Sequence, residues 1–575
     1  MHGGDRVAQV LKAQGVRCVF TLCGGHVSPI LTGARAQGIR VVDTRHEATA
    51  VFAADAMARM SGTPGVAVVT AGPGLTNTIT AVKNAQLAQS PLIVIGGATA
   101  TVLKGRGALQ DIDQVALMEP HVKQVLVVGR IRELVPNLER AFAVAKSGVP
   151  GPVFLECPVD LLYPEDVVRE WYGIGKRGGG FAGHVQRFYL RRHLGRMFDD
   201  RLGQRPGPAM IEPVPGAVAE QVLAVAQKLR AARRPLLIVG SQAVCEPERV
   251  ATVAEAVDRI GVPVYLSGMA RGLLGSRHPR HYRHRRREAL KSADVVILAG
   301  VPCDFRLDYG RHVRRGAVLV AANRSRDELR LNRKPDIGLL ADPGSFLADL
   351  SRAAPAAGDA WSDWRAELDG REQEREDGIV RDAAESGEFA NPLAVCRGVN
   401  EALSEDSIVV ADGGDFVGTA SYIVRPRGPL RWLDPGVFGT LGVGAGFAIG
   451  AAVARPGSQV WALFGDGSLG YSLSEFDTFV RHQIPLIAVV GNDGCWSQIA
   501  REQVKLLKDD VGVMLQRSDY HRVVAGFGAS GLVIHDDGEI PDVLQQACEI
   551  ARGGHPVLVN ALLGRSDFRE GSISI

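Results

Sequence analysis

In FGDGSLGYSLSEFDTFVRHQIPLIAVVGND, Phe464–Asp493, two apolar runs each stop at a glycine and then an acid. Extended back through VWALF, the stretch reads strand, turn, helix, strand: a βαβ unit. Such a crossover makes the two strands parallel, so their C-terminal ends share one sheet edge and Asp466 and Asp493 converge. Ligands of open α/β sheets bind along that edge, where Gly467 and Ser468 offer N–H groups at a helix start to an anion. Two converging carboxylates beside an anion site suit Mg²⁺, which takes about six oxygens, commonly one or two carboxylates with phosphate oxygens and water. Taken alone, GDG and GND also fit simple turns.

The same alternation continues on either side of this unit. SIVVADGGD, VWALFGDGS, PLIAVVGND and PVLVNALLG read as strands with helices between them, an α/β domain over 391–575. VRCVF, IRVVD, GVAVVT, PLIVIGG and PVFLECP place a first α/β domain at 1–165, and RRPLLIVGSQA, VPVYLSG, ADVVILAG and AVLVAAN place a second at 215–356. Between these two, 166–214 opens on a glycine cluster, carries a basic helical patch and closes on proline and glycine, the composition of a linker. An acid-rich helix from Trp361 to Asp382 occupies a second linker, 357–390. The expected fold class is α/β, three doubly wound parallel-sheet domains in series, with the first and third candidate copies of one fold.

A chain of 575 residues exceeds what one core organises, in keeping with several domains. Basic and acidic side chains number 66 and 63, a net charge of +3, which supplies no overall field for nucleic acid. Eight cysteines lie scattered without a C-x-x-C pair, which points away from a zinc site or a disulfide framework and toward a reducing compartment. The N-terminus reads as the start of an amphipathic helix, with neither a signal peptide nor a membrane-spanning run, so a cytoplasmic location is expected.

Further motifs fall at strand ends. Glu47, in IRVVDTRHEATAVFAADAMAR, follows a strand and opens a helix, a place where an acid also simply favours the helix dipole. AGPGLTN (Ala71–Asn77) follows another strand, His26 stands in GGHVSP beyond VFTL, and Gln110 lies in LQDIDQVALM. VFGTLGVGAGFAIGA is a glycine-rich helix start.

Together these elements resemble the thiamine diphosphate enzymes of the acetolactate synthase type, whose fingerprint is GDG followed, 27 residues after its acid, by an Asn or Asp. The resemblance implies pyrimidine-binding, central and diphosphate-binding domains, with thiamine diphosphate and Mg²⁺ as cofactors. The metal would be held by Asp466, Asp493 and the main-chain carbonyl of Cys495, with Asp493 in place of the commoner Asn adding a negative charge. Glu47 would hold a proton at N1′ of the cofactor's aminopyrimidine, a task favoured in a dry pocket. Leu441 would wedge the cofactor into its bent form, and the Gly439 carbonyl would receive its amino group. Pro73 and Asn77 would border it, and Asp415, Phe416, Gly467 and Ser468 would face the diphosphate.

His26 and Gln110 resemble the proton-relaying pair of benzaldehyde lyase and, more nearly, of the acetolactate-synthase-like 2-hydroxyacyl-CoA lyases. MARGLLG, GGDFVGTA, PRGPLRWLDPG, CWSQIAREQ and SDFREGSI carry the likeness along nearly the whole chain. The implied activity is carbon–carbon cleavage of a 2-hydroxyacyl-CoA to an aldehyde and formyl-CoA, reversible as an acyloin-type condensation. A carboligase of free aldehydes or 2-ketoacids and a cofactor-binding regulatory paralogue are the alternatives. ADP, coenzyme A or FAD could fill the central domain, with Arg271 and Arg306 as candidates for CoA or ADP phosphates. The run RHPRHYRHRRR, Arg277–Arg287, with six arginines, fits a solvated face, phosphate recognition or a nucleic-acid patch. The segment His184–Phe198 suits docking within the chain, a membrane surface or a partner protein. The family pattern implies a homodimer or homotetramer in which the first and third domains meet across subunits, and closure by the C-terminal tail SDFREGSISI.

Overall fold

A computed structural model of the chain describes residues 2–174, 180–199, 207, 210, 214, 216–354 and 360–570. Parts of the glycine-rich linker and the last five residues of SDFREGSISI lie outside the described residues. The first sheet comprises β1 (Cys18–Thr21), β2 (Arg40–Asp43), β3 (Gly65–Val69), β4 (Leu92–Ala98), β5 (Gln124–Val127) and β6 (Pro152–Pro158). The second holds β7 (Pro235–Val239), β8 (Val264–Leu266), β9 (His281–Tyr282), β10 (Val295–Ala299), β11 (Val318–Asn323) and β12 (Ile337–Leu340). The third holds β13 (Ile408–Ala411), β14 (Trp432–Leu433), β15 (Val460–Gly465), β16 (Ile487–Asn492), β17 (Ser530–Ile534) and β18 (Val557–Leu562). Of the helices, five matter below: α1 (Glu47–Ser61), α2 (Gly180–Met197), α3 (Ser362–Ala383), α4 (Asp415–Ile423) and α5 (Ser497–Leu507).

All three sheets are parallel, and their inner strands are apolar throughout because helices cover both faces. Their orders are β2-β1-β3-β4-β6-β5, β12-β11-β10-β7-β8-β9 and β14-β13-β15-β16-β18-β17. The first and third are the same topology, and the second has the strand order of a dinucleotide-binding fold. Five strands escape sequence reading: β5, β9, β12, β14 and β17. Each is an edge strand. Edge strands are short or half exposed, so they lack the continuous apolar run that marks a buried one.

The chain divides into two compact units, Met1–Arg59 with Thr63–Glu212, and Met60–Gly62 with Pro213–Ile575. The first unit holds the first sheet. Its core takes in Val19, Val68, Ile95 and Leu155 from the strands and also Leu194 and Met197 from α2, in the linker segment. The second unit joins the other two sheets through a polar seam. Arg271 donates to the Ser421 carbonyl at 2.9 Å and stacks on Trp432, while Gly272, at φ +83°, lies where a Cβ would meet the Gly428 carbonyl at 2.4 Å. Glu376 of α3 receives Arg283 and Arg425 together, and His284 approaches it at 2.9 Å.

Helix α1 is fixed by a buried pair on its own face: Arg59 makes two bonds to Asp55, at 2.7 and 2.6 Å, and Asn84 donates to Asp55 at 3.2 Å. Removing Asp55 takes two charge-assisted bonds from a buried arginine. Asp55→Ala is therefore expected to lower stability by about 3–5 kcal/mol, read by chemical denaturation; a loss below about 1 kcal/mol would show that α1 is held otherwise.

Candidate functional site

In the first sheet the strand order reverses between β1 and β3, and the loops beyond their C-terminal ends carry His26 and the AGPGLTN turn. Ligands of open α/β folds lie at such a reversal. His26 is half-buried, its Nδ1 is 3.1 Å from Thr70 Oγ1, and burial lowers its pKa below the ordinary imidazole value. Glu47 opens α1 beyond β2 and is 6% exposed, with Asn77 Nδ2 donating to its Oε2 at 2.9 Å. A Cβ on Gly74 would stand 2.6 Å from Thr70 and 3.5 Å from Glu47 Oε1, so glycine there leaves space between the two side chains. Pro73 opens the short helix that carries this turn.

Gln110 is placed by its backbone. It sits at φ +64°, and a Cβ on Gly72, itself at φ +61°, would lie 2.9 Å from the Gln110 carbonyl. Gln114 fixes this junction: its Oε1 accepts from Gly72 N at 3.0 Å, and its Nε2 donates to the Gly97 carbonyl and to Glu156 Oε2, each at 3.1 Å. Lys104 completes the chain by pairing with the buried Glu156. Sequence reasoning missed Thr70, Gln114 and Glu156; Gln114 is four residues from Gln110, but only the fold reveals that it reaches back to Gly72.

The third sheet repeats the reversal between β13 and β15, with β16 beside them. β15 and β16 run in register from Trp461↔Ile487 to Gly465↔Gly491, which sets Asp466 and Asp493 at neighbouring strand tips. Asp466 accepts from Gly467 N at 2.8 Å and Gly494 N at 2.9 Å, and Asp493 accepts from Cys495 N at 3.1 Å and from Ser497 Oγ. Burial, and then the neighbouring Asp493, push the Asp466 carboxyl up to about 6; burial raises Asp493 as well. Two acids held together in this way suit a hard divalent cation, which removes the repulsion and supplies the missing counter-charge.

Glycines let backbone and side chains close around the same point. A Cβ on Gly413 would fall 1.8 Å from Leu441 Cδ2, and one on Gly467 would fall 2.4 Å from the Trp496 ring. Gly439, beside Leu441, is left-handed at φ +64°. Ser468 Oγ bonds the Gly413 and Gly465 carbonyls, tying the two strand tips together. Beneath them the buried Asp412 accepts from Gly413, Gly442 and Gly444 N at 2.7, 3.0 and 2.9 Å, joining the Leu441 loop to β13.

Asp415 starts α4 beside this point, and Phe416 packs over Gly491. The Asp415 carboxylate pairs with Arg501 of α5 at 2.8 Å and lies 3.7 Å from Arg569. Asp415 Oδ1, Arg501 Nη1 and Arg569 Nε are buried without a hydrogen-bond partner. A cavity of about 440 Å³ opens here, lined by Asp415, Asp493, Cys495, Arg501, Lys505 and Arg565 among others. Orphaned polar atoms and cations beside paired acids fit an anionic ligand with its metal.

Residues 1–117 match the model of the thiamine pyrophosphate enzyme N-terminal TPP binding domain, 222–350 its central domain and 412–561 its C-terminal TPP binding domain. A protein named 2-hydroxyacyl-CoA lyase 2 from Homo sapiens is 51% identical over 583 residues, covering 100% of this chain and 92% of its own length. The chain belongs to the thiamine pyrophosphate enzymes. Among other thiamine pyrophosphate enzymes, the 2-hydroxyacyl-CoA lyase 2 of Danio rerio is 50% identical, covering 100% of this chain and 93% of its own, and the acetolactate synthase large subunit IlvG of Mycobacterium tuberculosis is 33% identical, covering 98% and 96%. Three parallel-sheet domains are what the family's N-terminal, central and C-terminal parts require.

Because Leu441 lies against a residue that has no side chain, Gly413→Ala is expected to push Leu441 outward. Thiamine diphosphate affinity, read by quenching of protein fluorescence, should fall at least tenfold, about 1.4 kcal/mol, while circular dichroism stays native. Unchanged affinity would remove Leu441 from the cofactor's walls.

Proposed function

We propose that the protein is a thiamine diphosphate-dependent lyase that cleaves a 2-hydroxyacyl-CoA between C1 and C2 to an aldehyde and formyl-CoA, and can run in reverse as a condensation. The observation that carries this reading is identity of about half, over the whole chain, to proteins named 2-hydroxyacyl-CoA lyase 2, with 33% to an acetolactate synthase. Thiamine diphosphate, when bound, supplies a carbon nucleophile and an electron sink. Asp466, Asp493 and the Cys495 carbonyl would hold Mg²⁺, and the N–H groups at Asp415, Phe416, Gly467 and Ser468 would face the diphosphate. Gly439, Leu441, Pro73 and Asn77 would surround the rest.

Glu47 holds a proton against the cofactor's ring nitrogen N1′, and its burial and the Asn77 bond keep one oxygen oriented for that task. His26 takes the proton from the substrate 2-hydroxyl as the C1–C2 bond breaks; Thr70 engages Nδ1 and leaves Nε2 for the substrate. Gln110 donates to the substrate carbonyl oxygen. Each half of the machinery belongs to a different compact unit, and a homodimer or homotetramer that pairs the halves across subunits is the assembly we infer.

The coenzyme A phosphates have a receptor in the second unit. A cleft of about 420 Å³ is lined by Arg271, Arg285, Arg286, Arg287, Arg306 and Arg375, with His284, Ser421 and Tyr422. Burial and then the Arg271 and Arg306 guanidiniums depress the Arg286 pKa; Arg306 pairs with Asp304, and arginines outnumber acids along the cleft, which suits an anion. This favours phosphate recognition for the run Arg277–Arg287. The reversal point of the central sheet is a poorer home for ADP or FAD, since a Cβ on Gly240 would meet Val301 at 2.2 Å and one on Gly300 would meet Gln242 at 2.9 Å. Arg324 there is already paired with Asp342 and Glu246. Among the described residues no helix is long and apolar enough to cross a membrane; we place the protein in the cytoplasm.

Four assays test the reading. A purified protein loaded with thiamine diphosphate and Mg²⁺ should release formyl-CoA from a 2-hydroxyacyl-CoA, and turnover of benzoin or pyruvate alone would overturn the assignment in favour of a carboligase. Glu47→Gln should lower kcat by roughly 10²–10⁴-fold; undiminished cleavage would end the catalytic role of Glu47. Since burial disfavours the imidazolium, His26 stays neutral to a lower pH than a free imidazole. The acid limb of kcat/KM should lie below the usual histidine range and vanish in His26→Ala, and a limb that persists in the variant belongs to another group. Arg306→Ala should raise KM for the CoA thioester by roughly tenfold with kcat kept, the worth of one charge-assisted bond, and leave reactions of free aldehydes untouched.

A further inference from the structure

Helix α2, outside the three sheets, has two unlike faces. On one, Leu194 and Met197 are buried in the core of the first unit, Leu190 and Phe198 pack against it, and His193 Nε2 lies 2.8 Å from Thr101 Oγ1, which itself donates to the buried Asp160. This face fastens the helix within the chain. The opposite face presents Phe181 at 86% exposure, Phe188 at 66%, Tyr189 at 60% and Val185 at 53%, interleaved with exposed Arg191, Arg192 and Arg196. At 100° per residue Phe181, Val185, Phe188, Tyr189, Arg192 and Arg196 form one stripe along a helix of 18 residues, about 27 Å long, with Arg191 at its flank. No acid occurs between Gly180 and Phe198.

We propose that this outer face of α2 docks the protein on an anionic lipid bilayer. Exposed aromatic side chains at helical spacing among arginines, with no acid among them, are the composition of a helix that lies in the interface plane, rings at the acyl boundary and guanidiniums at the phosphates. A second copy of the chain fits less well, because a symmetric contact of this stripe with itself sets arginine on arginine, and protein interfaces exclude charge from their centres. Since the inner face is seated in the core, the helix is already formed before it meets the surface and binding needs no coupled folding. The inference stands apart from the lyase reading and from its assays.

The test is co-sedimentation of the purified full chain with vesicles of phosphatidylcholine, with and without phosphatidylglycerol. The protein should partition onto the phosphatidylglycerol vesicles, less so as salt is raised. Replacing both Arg191 and Arg192 by Ser should lower the partition coefficient by roughly thirtyfold, the worth of two arginines at an anionic surface, and F181S with F188S should lower it too. Melting temperature and mass by light scattering should not move, since these side chains touch no core. Equal partition of wild type and variants, or no preference for phosphatidylglycerol, overturns the proposal; a fall in mass in the variants overturns it also, by assigning the stripe to contacts between copies.

Discussion

Asp466 and Asp493 are two acids that the sheet forces together, the first buried and the second half-buried at the wall of a cavity. Their convergence follows from strand register: β15 and β16 pair through Gly465↔Gly491, and Asp466 is the next residue after the first glycine and Asp493 the second after the other. The elevated Asp466 carboxyl, at about 6, shows that the polypeptide by itself does not balance this charge. Three backbone N–H groups, of Gly467, Gly494 and Cys495, and the Ser497 hydroxyl aim the oxygens without neutralising them. Nearly everything else at this edge keeps that constellation compact: Gly413 admits Leu441, Gly467 admits Trp496, and Ser468 ties the strands.

The first sheet uses the same topology for different chemistry. Where the third sheet puts paired carboxylates, the first puts His26 and Glu47 on either side of Thr70 and Gly74, with glycines again where a side chain would collide. One edge thereby gathers paired acids, and the other gathers groups able to hold or move a proton. Equal strand order with unequal loops is how one architecture carries two chemistries.

The parts legible in the sequence are those whose signal is local. Inner strands declare themselves by apolar runs, and GDG, GND, RHE and AGPG sit directly after such runs, so their place at the sheet edge follows from the period alone. What stayed hidden depends on residues distant in the chain: Gln114 reaching Gly72, Asp412 collecting the Gly442 and Gly444 N–H groups, and Arg569 lying over Gly418 beside Asp415. Edge strands such as β9 and β14, each of two residues, carry too few positions for any period to show.

Charge runs illustrate the same limit most sharply. Arg277–Arg287 reads first as a solvated face and next as a phosphate-binding or nucleic-acid surface, because composition does not say which way a side chain turns. The fold separates the arginines by partner: Arg283 is neutralised by Glu372 and Glu376 of α3, the same acids that approach His284, so this cluster is a seam and its carboxylates are already spoken for by cations. Arg286 has the Arg271 and Arg306 guanidiniums as charged neighbours, whereas Arg283 has the Arg425 guanidinium together with the Glu376 and Glu372 carboxylates. A cleft that concentrates positive charge against its own interest is stabilised when an anion enters, and tandem phosphates answer several of those cations at once. The acids of α3 thus bound the cleft: Glu372 and Glu376 take up Arg283 and Glu374 lies near Arg285, while Arg286 keeps guanidiniums for neighbours.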